Sequence, residues 1–250
     1  MLEVVASTVD AIGMAGIALV VASAVLGGVA QGTVGFGAAF ATVPALALVA
    51  PELLPGTMLV AALPLAAVMA VLERSGIDRP ATARLLVARI PGIAVGTLIV
   101  VVADVRWLTF VVGAVLLATV TAASFGWSLA VTPAKEWAAG MISGVTGAAT
   151  ALGGPPLAIL YRERDPAVMR PTLAVVWTVG IMMTLTSLAL AGSFTGLQGT
   201  FGVVLSVVVL GGLLLGRQVV ARVSVRAIRS AVLWWAALGG GAAILRALTL

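Results

Sequence analysis

Two glycine-rich stretches carry the residues best suited to chemistry in this chain, GGVAQGTVGFG at 27–37 and GMISGVTGAATALGGPP at 140–156. Helix breakers in a row end one helix and start another. A helix restarting beside Gly153, Gly154, Pro155 and Pro156 exposes amide N–H groups at the positive end of its dipole. Such an end binds an anion without any charged side chain. Gln31, Thr33, Ser143, Thr146 and Thr150 add neutral polar groups in the same stretches, and Gly32, Gly35, Gly37, Gly144 and Gly147 complete the candidate site. Phe36 is either a plug in a permeation path or lipid-facing bulk.

A plainer account covers part of this pattern. Gly28/Gly32 and Gly140/Gly144 are GxxxG pairs, which let transmembrane helices approach closely. Packing explains Gly35, Gly37, Gly153 and Gly154 less well, because each glycine in a helix interior costs about 1 kcal/mol relative to alanine.

Other chemistries lack their residues. With no Cys and no His, zinc ligation, thiol nucleophiles and imidazole bases are missing, so no catalytic, metal or cofactor residue is expected. No GKS or GKT marks a phosphate-binding loop for an ATP-driven pump. Glu52, Glu73, Asp78, Asp104, Glu136, Glu163 and Asp165 fall at or near segment ends, which argues against a proton relay at membrane depth. No basic residue falls at the centre of a predicted span. Arg89 and Arg170 are expected to open helices at the cytoplasmic edge, as topology charges or as attractors of anions.

The elements that must position these residues follow from composition. Hydrophobic residues make up 62% of the 250 residues, charged residues 9%, and the mean hydropathy is +1.22. A soluble domain carries roughly a quarter charged residues, so the chain is an all-α polytopic membrane protein in a lipid bilayer. Apolar segments run over 11–30, 36–50, 56–73, 88–103, 107–125, 136–161, 171–191, 199–216 and 228–248. Segment 36–50 is short for a span needing about 20 residues. Segment 136–161 is long and broken at its Gly/Pro cluster, and reads as a re-entrant hairpin in preference to two short spans. No Lys or Arg precedes Arg74, so the first run is expected to stay in the mature protein rather than act as a secretory signal.

The pI near 11.3 reflects topology rather than nucleic acid. Basic residues cluster at 74–89, 162–170 and 217–229, and placing those loops in the cytoplasm, with the connection that carries Lys135, puts 12 of 14 inside. Arg106 and Arg246 are then outside, as are both termini, in a cell-membrane protein.

The sequence also repeats. An offset of 112 aligns Gly28 with Gly140, Gly32 with Gly144, Gly35 with Gly147 and Pro44 with Pro156; an offset of 120 aligns Gly92 with Gly212, Gly96 with Gly216 and Arg106 with Arg226. Residues 1–125 and 126–250 are therefore expected to be two repeats of about five helical segments each. An odd number of segments inverts the second copy relative to the first, bringing the Gly/Pro-broken hairpins together near the midplane. Parallel four-span halves would strand a basic loop outside.

The pairing of GxxxGxxGFG (Gly28 to Gly37) with GxxGxxxxxGGPP (Gly144 to Pro156) resembles the TauE/SafE family, sulfite exporters and toluene-sulfonate uptake permeases, over about 11–248. The resemblance implies a membrane transporter of small sulfur-containing anions: sulfite, sulfoacetate, thiosulfate or organosulfonates. Carried over by position, its motif residues are Gln31, Gly32, Gly35, Phe36, Gly37 and Pro44, then Gly144, Gly147, Gly153, Gly154, Pro155 and Pro156. Ala148 stands opposite Phe36, which makes any gate there asymmetric. Pro44, Gly28 and Gly140 are read as structural. The expected function is secondary transport by alternating access, with the anion held by backbone N–H groups at the broken helix ends. An anion channel on the same hairpins, a membrane enzyme and a structural membrane subunit are the alternatives. The expected partners are the sulfur anion and the bilayer, without nucleic acid; the oligomeric state, a dimer included, is left open.

Overall fold

Aspartate, threonine and proline set where the helices begin. A computed structural model of the protein describes residues 2–34, 37–125, 130–219 and 223–249, and among them are ten α-helices. In chain order they are α1 (Leu2–Val34), α2 (Ala38–Val49), α3 (Gly56–Leu72), α4 (Arg79–Val102), α5 (Val105–Ser124), α6 (Pro133–Thr150), α7 (Gly154–Leu160), α8 (Pro166–Leu190), α9 (Gly196–Val219) and α10 (Val225–Thr249), with a 3-10 turn at Pro51–Leu53. Asp78 accepts the Ala81 amide at 3.0 Å at the head of α4, Asp104 the Trp107 amide at 2.8 Å at α5, and Asp165 the Ala167 amide at 2.9 Å at α8. Thr132 does the same for Lys135 at α6. Each satisfies a first-turn N–H that the helix itself cannot.

Six helices, α1, α4, α5, α8, α9 and α10, are long and apolar enough to cross a membrane. Their outward faces are apolar, with Leu190, Val102 and Trp234 among the exposed large residues, as a lipid-facing surface requires. The chain is thus a multi-pass membrane protein. The segment expected over 88–103 begins nine residues earlier, at Arg79, because Asp78 caps it and Pro80 sits in its first turn.

Both broken segments are too short to be complete crossings. The second helix, α2, has 12 residues and α7 has seven, rises of about 18 and 10 Å against a hydrocarbon core of about 30 Å. The segment 136–161 thus holds an 18-residue helix, α6, followed by a seven-residue arm, α7. At the first break Gly37 has φ +142°, and a Cβ there would lie 2.7 Å from the Ala30 Cβ. At the second, Ala151 takes the left-handed conformation at φ +61° to end α6.

Helices pack across the chain midpoint. The α1 helix lies on α9 and α6 on α4; α3 lies on both α8 and α9, α4 on α8, and α5 on α10. Two glycine contacts seal the first two pairs. A Cβ at Gly212 would stand 3.1 Å from the Gly28 Cα, and one at Gly92 would stand 3.1 Å from the Gly144 Cα. The counterpart of Gly28 in these contacts is Gly144 rather than Gly140. The breaks agree: Val34 and Thr150 end their helices, and Ala38 and Gly154 restart them, 116 residues apart. The 112-residue offset in the sequence is one turn short, because a GxxxG spacing matches itself again after a slip of four.

Candidate functional site

The two breaks face one cavity of about 90 Å³. On one side it is lined by Gln31, Gly37 and the first turn of α2, Ala38 to Phe40; on the other by Gly147 and Ala151 to Pro155. Leu59, Leu65 and Ile181 contribute an apolar wall, and Arg89 and Trp177 complete the lining.

Arg89 is the residue that the sequence reading misplaced. It lies eleventh in α4 and is only 2% exposed, not at a membrane edge. The cause is the earlier start of α4, for which the Asp78-Arg79-Pro80 run was the available signal. One guanidinium nitrogen, Nη1, donates to the Ser143 hydroxyl, and that hydroxyl donates to the Gly153 carbonyl. The side chain is thereby fixed to the α6–α7 break. Its Nε is buried without a hydrogen-bond partner among the described residues, as is the Trp177 indole Nε1. The guanidinium lies over Gly180 of α8, where a Cβ would come within 2.5 Å of Nε and 2.8 Å of Cζ. The two ion pairs among the described residues, Arg84–Glu136 and Arg170–Glu73, do not include it.

Other expected site residues divide by position. Gln31, Gly37, Gly147, Gly153, Gly154 and Pro155 line the cavity, and Ser143 braces Arg89. Gly28 and Gly32 pack on α9, and Gly140 and Gly144 on α4, so these four are helix contacts. Thr33 and Thr146 bond their own helices at Ala30 and Ile142. Thr150 bonds back to Thr146 and accepts the Leu152 amide, closing the end of α6. Pro44 packs against Gly239 of α10. Pro156 stands beside Pro155 in the first turn of α7; neither carries an amide hydrogen, which leaves Gly154 as the donor among the first three residues of that helix. Gly35 and Phe36 lie outside the described residues. Phe40, four residues on, is 5% exposed and lines the cavity.

A second cavity, about 210 Å³, adjoins the first and shares Phe40, Pro155 and Trp177 with it. Its lining includes Arg162, Arg170 and Arg229, from two of the basic clusters. At the opposite face Gln198, at the start of α9, accepts the Thr57 hydroxyl on its backbone carbonyl and donates its side-chain amide to the Glu52 and Leu54 carbonyls. Arg246 donates to the Ala47 and Leu48 carbonyls at the end of α2, a cation at the negative end of a helix.

The hairpin is anchored separately. Glu136, 2% exposed, accepts from the Arg84 guanidinium and, at 2.7 Å, from the Tyr161 hydroxyl just beyond α7. Burial, reinforced by that bond to Glu136, holds the Tyr161 phenol above its ordinary titration range. This group ties α4, α6 and the end of α7 together and lines neither cavity.

A protein-family model described as "Sulfite exporter TauE/SafE" matches residues 20–243. No curated protein and no solved structure matches the chain.

Proposed function

The chain belongs to the TauE/SafE sulfite exporter family, a family of membrane transporters, and from that premise we propose that it is a secondary carrier of small sulfur-containing anions. Sulfite, sulfoacetate, thiosulfate and organosulfonates are the candidates. The observation that carries this reading is Arg89, a buried cation without an ion-pair partner among the described residues, in a cavity between two helix breaks. Holding a charged side chain at membrane depth costs about 2.5–3.5 kcal/mol on insertion scales. An anion in the cavity offsets that cost. The site then consists of Arg89, the first turn of α2, Gln31 and the Gly147–Gly154 backbone, so a side-chain charge joins the backbone donors expected from the sequence.

Transport follows by alternating access between inverted halves, 1–125 and 126–250. The packing pattern supports two related halves: exchanging α1 with α6, α3 with α8, α4 with α9 and α5 with α10 turns the α1–α9 contact into α6–α4 and leaves α3–α8 and α5–α10 in place, and an odd number of segments in each half makes that relation an inversion. The excess of positive charge assigns the basic face to the cytoplasm and the termini to the outside of the cell membrane. The arginine-lined cavity then opens inward, and the Gln198 contacts close the outer face.

Sulfite counterflow in proteoliposomes, with sulfate, thiosulfate, sulfoacetate and chloride as competitors, tests the proposal. Saturable exchange inhibited by a subset of these anions is expected. Flux that neither saturates nor shows counterflow would identify a channel; no flux from folded protein would end the reading.

A further inference from the structure

Resting on the carrier reading, we propose that the cavity selects its anion by charge, admitting monoanions and rejecting dianions of the same shape, which narrows the candidates to hydrogensulfite and monoanionic organosulfonates and leaves out the dianions sulfoacetate and thiosulfate. Of the residues that line it, Arg89 alone ionises; the rest are glycine, alanine, apolar side chains, Pro155, Gln31 and Trp177. One fixed positive charge neutralises one negative charge. A second negative charge at this depth has only dipoles to face, and an uncompensated charge in such surroundings is costly.

The two unpartnered donors sharpen the assignment. Arg89 Nε and Trp177 Nε1 are both buried and without acceptors among the described residues, and both groups are donors only. Their residues stand on different helices, α4 and α8, around one cavity. Gly180 leaves the guanidinium space to lie flat, and Ser143 fixes its other edge. A guanidinium braced in this way fits an oxyanion such as R–SO₃⁻ or hydrogensulfite, whose oxygens present several acceptors about one charge.

Neighbouring charges stand outside the lining: Arg162, Arg170 and Arg229 line the adjoining cavity. Of the helices packed on α4, α6 carries Lys135 and Glu136 and α8 carries Arg170; on α4 itself stand Arg79 and Arg84. Glu136 is already engaged by Arg84 and Tyr161, and Arg170 faces Glu73 at 3.6 Å. None of these lines the cavity.

Methanesulfonate and sulfate make the test, since they differ by a methyl group in place of a charged oxygen. In wild-type proteoliposomes methanesulfonate should inhibit sulfite counterflow at least about tenfold more strongly than sulfate. As pH rises and hydrogensulfite becomes sulfite, the total sulfite needed to half-saturate counterflow should rise, while methanesulfonate keeps its binding. Arg89→Lys, which keeps the charge, should preserve the ranking with weaker affinity, and Arg89→Gln should abolish it. Because Arg89→Gln can fail to fold, thermal stabilisation of the wild type and of Arg89→Lys in detergent provides a second reading: methanesulfonate should raise the melting temperature and sulfate should not. Equal potency of sulfate and methanesulfonate in the wild type, or a normal ranking in folded Arg89→Gln, would overturn the proposal. Absence of counterflow with every anion would instead overturn the carrier reading, and the melting experiment would still decide whether the cavity reads charge.

Discussion

The two helix breaks do the same thing to the backbone with different means. At the first, α1 gives way to α2 through Gly37; α2 runs 12 residues, begins with residues that carry amide hydrogens, and ends against Arg246. At the second, α6 gives way to seven-residue α7, two of whose first three residues are proline. The second break is poor in backbone donors, and that is where a side-chain charge is held, through Arg89, Ser143 and the Gly153 carbonyl. The first break is rich in donors and has a neutral Gln31, which accepts the Ala38 amide at 3.3 Å. Two similar backbone breaks thus differ in charge, a buried guanidinium at the second and a neutral amide at the first.

Gly154→Leu should have the largest effect on that contrast. A Cβ at Gly154 meets only Trp177, at 3.8 Å, so the backbone tolerates the change, while the added branches enter the cavity. Loss of sulfite counterflow is expected from protein that still elutes as a single species in detergent. Ser143→Ala comes next. It frees the guanidinium and leaves the Gly153 carbonyl without its donor, and a lost buried hydrogen bond to a charged group of about 1.4 kcal/mol amounts to about tenfold in apparent affinity. Gln31→Leu at the other break should cost less, about two- to threefold, because it removes hydrogen bonds between neutral groups, among them those to the Ala38 amide at 3.3 Å and the Met69 sulfur at 3.4 Å. A larger loss at Gln31 than at Ser143 would reverse the assignment of charge to the second break. Arg79→Ala should be nearly silent, since Arg79 is exposed at the head of α4; an exposed change of this kind shifts stability by about 0.5 kcal/mol or less, and a counterflow rate within about twofold of the wild type would agree with that.

Much of this arrangement is legible in the sequence. Gly/Pro clusters marked both breaks, and the long apolar runs marked the spans, because breakers and hydropathy act locally. What escaped was either a boundary or a contact between distant elements. Arg89 escaped because an apolar window starts at residue 88, whereas helix α4 starts where Asp78 can cap it; hydropathy averages over a polar first turn that capping chemistry specifies. The repeat offset escaped by one turn because glycines four apart satisfy both registers, and only the contacts of Gly28 with Gly212 and of Gly144 with Gly92 distinguish them. Trp177 carried no signal at all. One aromatic in a long apolar helix is ordinary, and its unpartnered indole becomes visible only when α8 is set beside the breaks.

The two glycine-sealed helix pairs also have a consequence for the order of synthesis. When α6 emerges, its partner α4 has already been made. The first helix has no such partner waiting: Gly28 and Gly32 form a groove whose occupant, the Val209–Leu213 stretch of α9, is translated some 180 residues later. Until then the nascent chain holds an open seam against lipid. The first half therefore keeps its glycine groove open until α9 arrives, and α10 then adds its packing on α5 and α2.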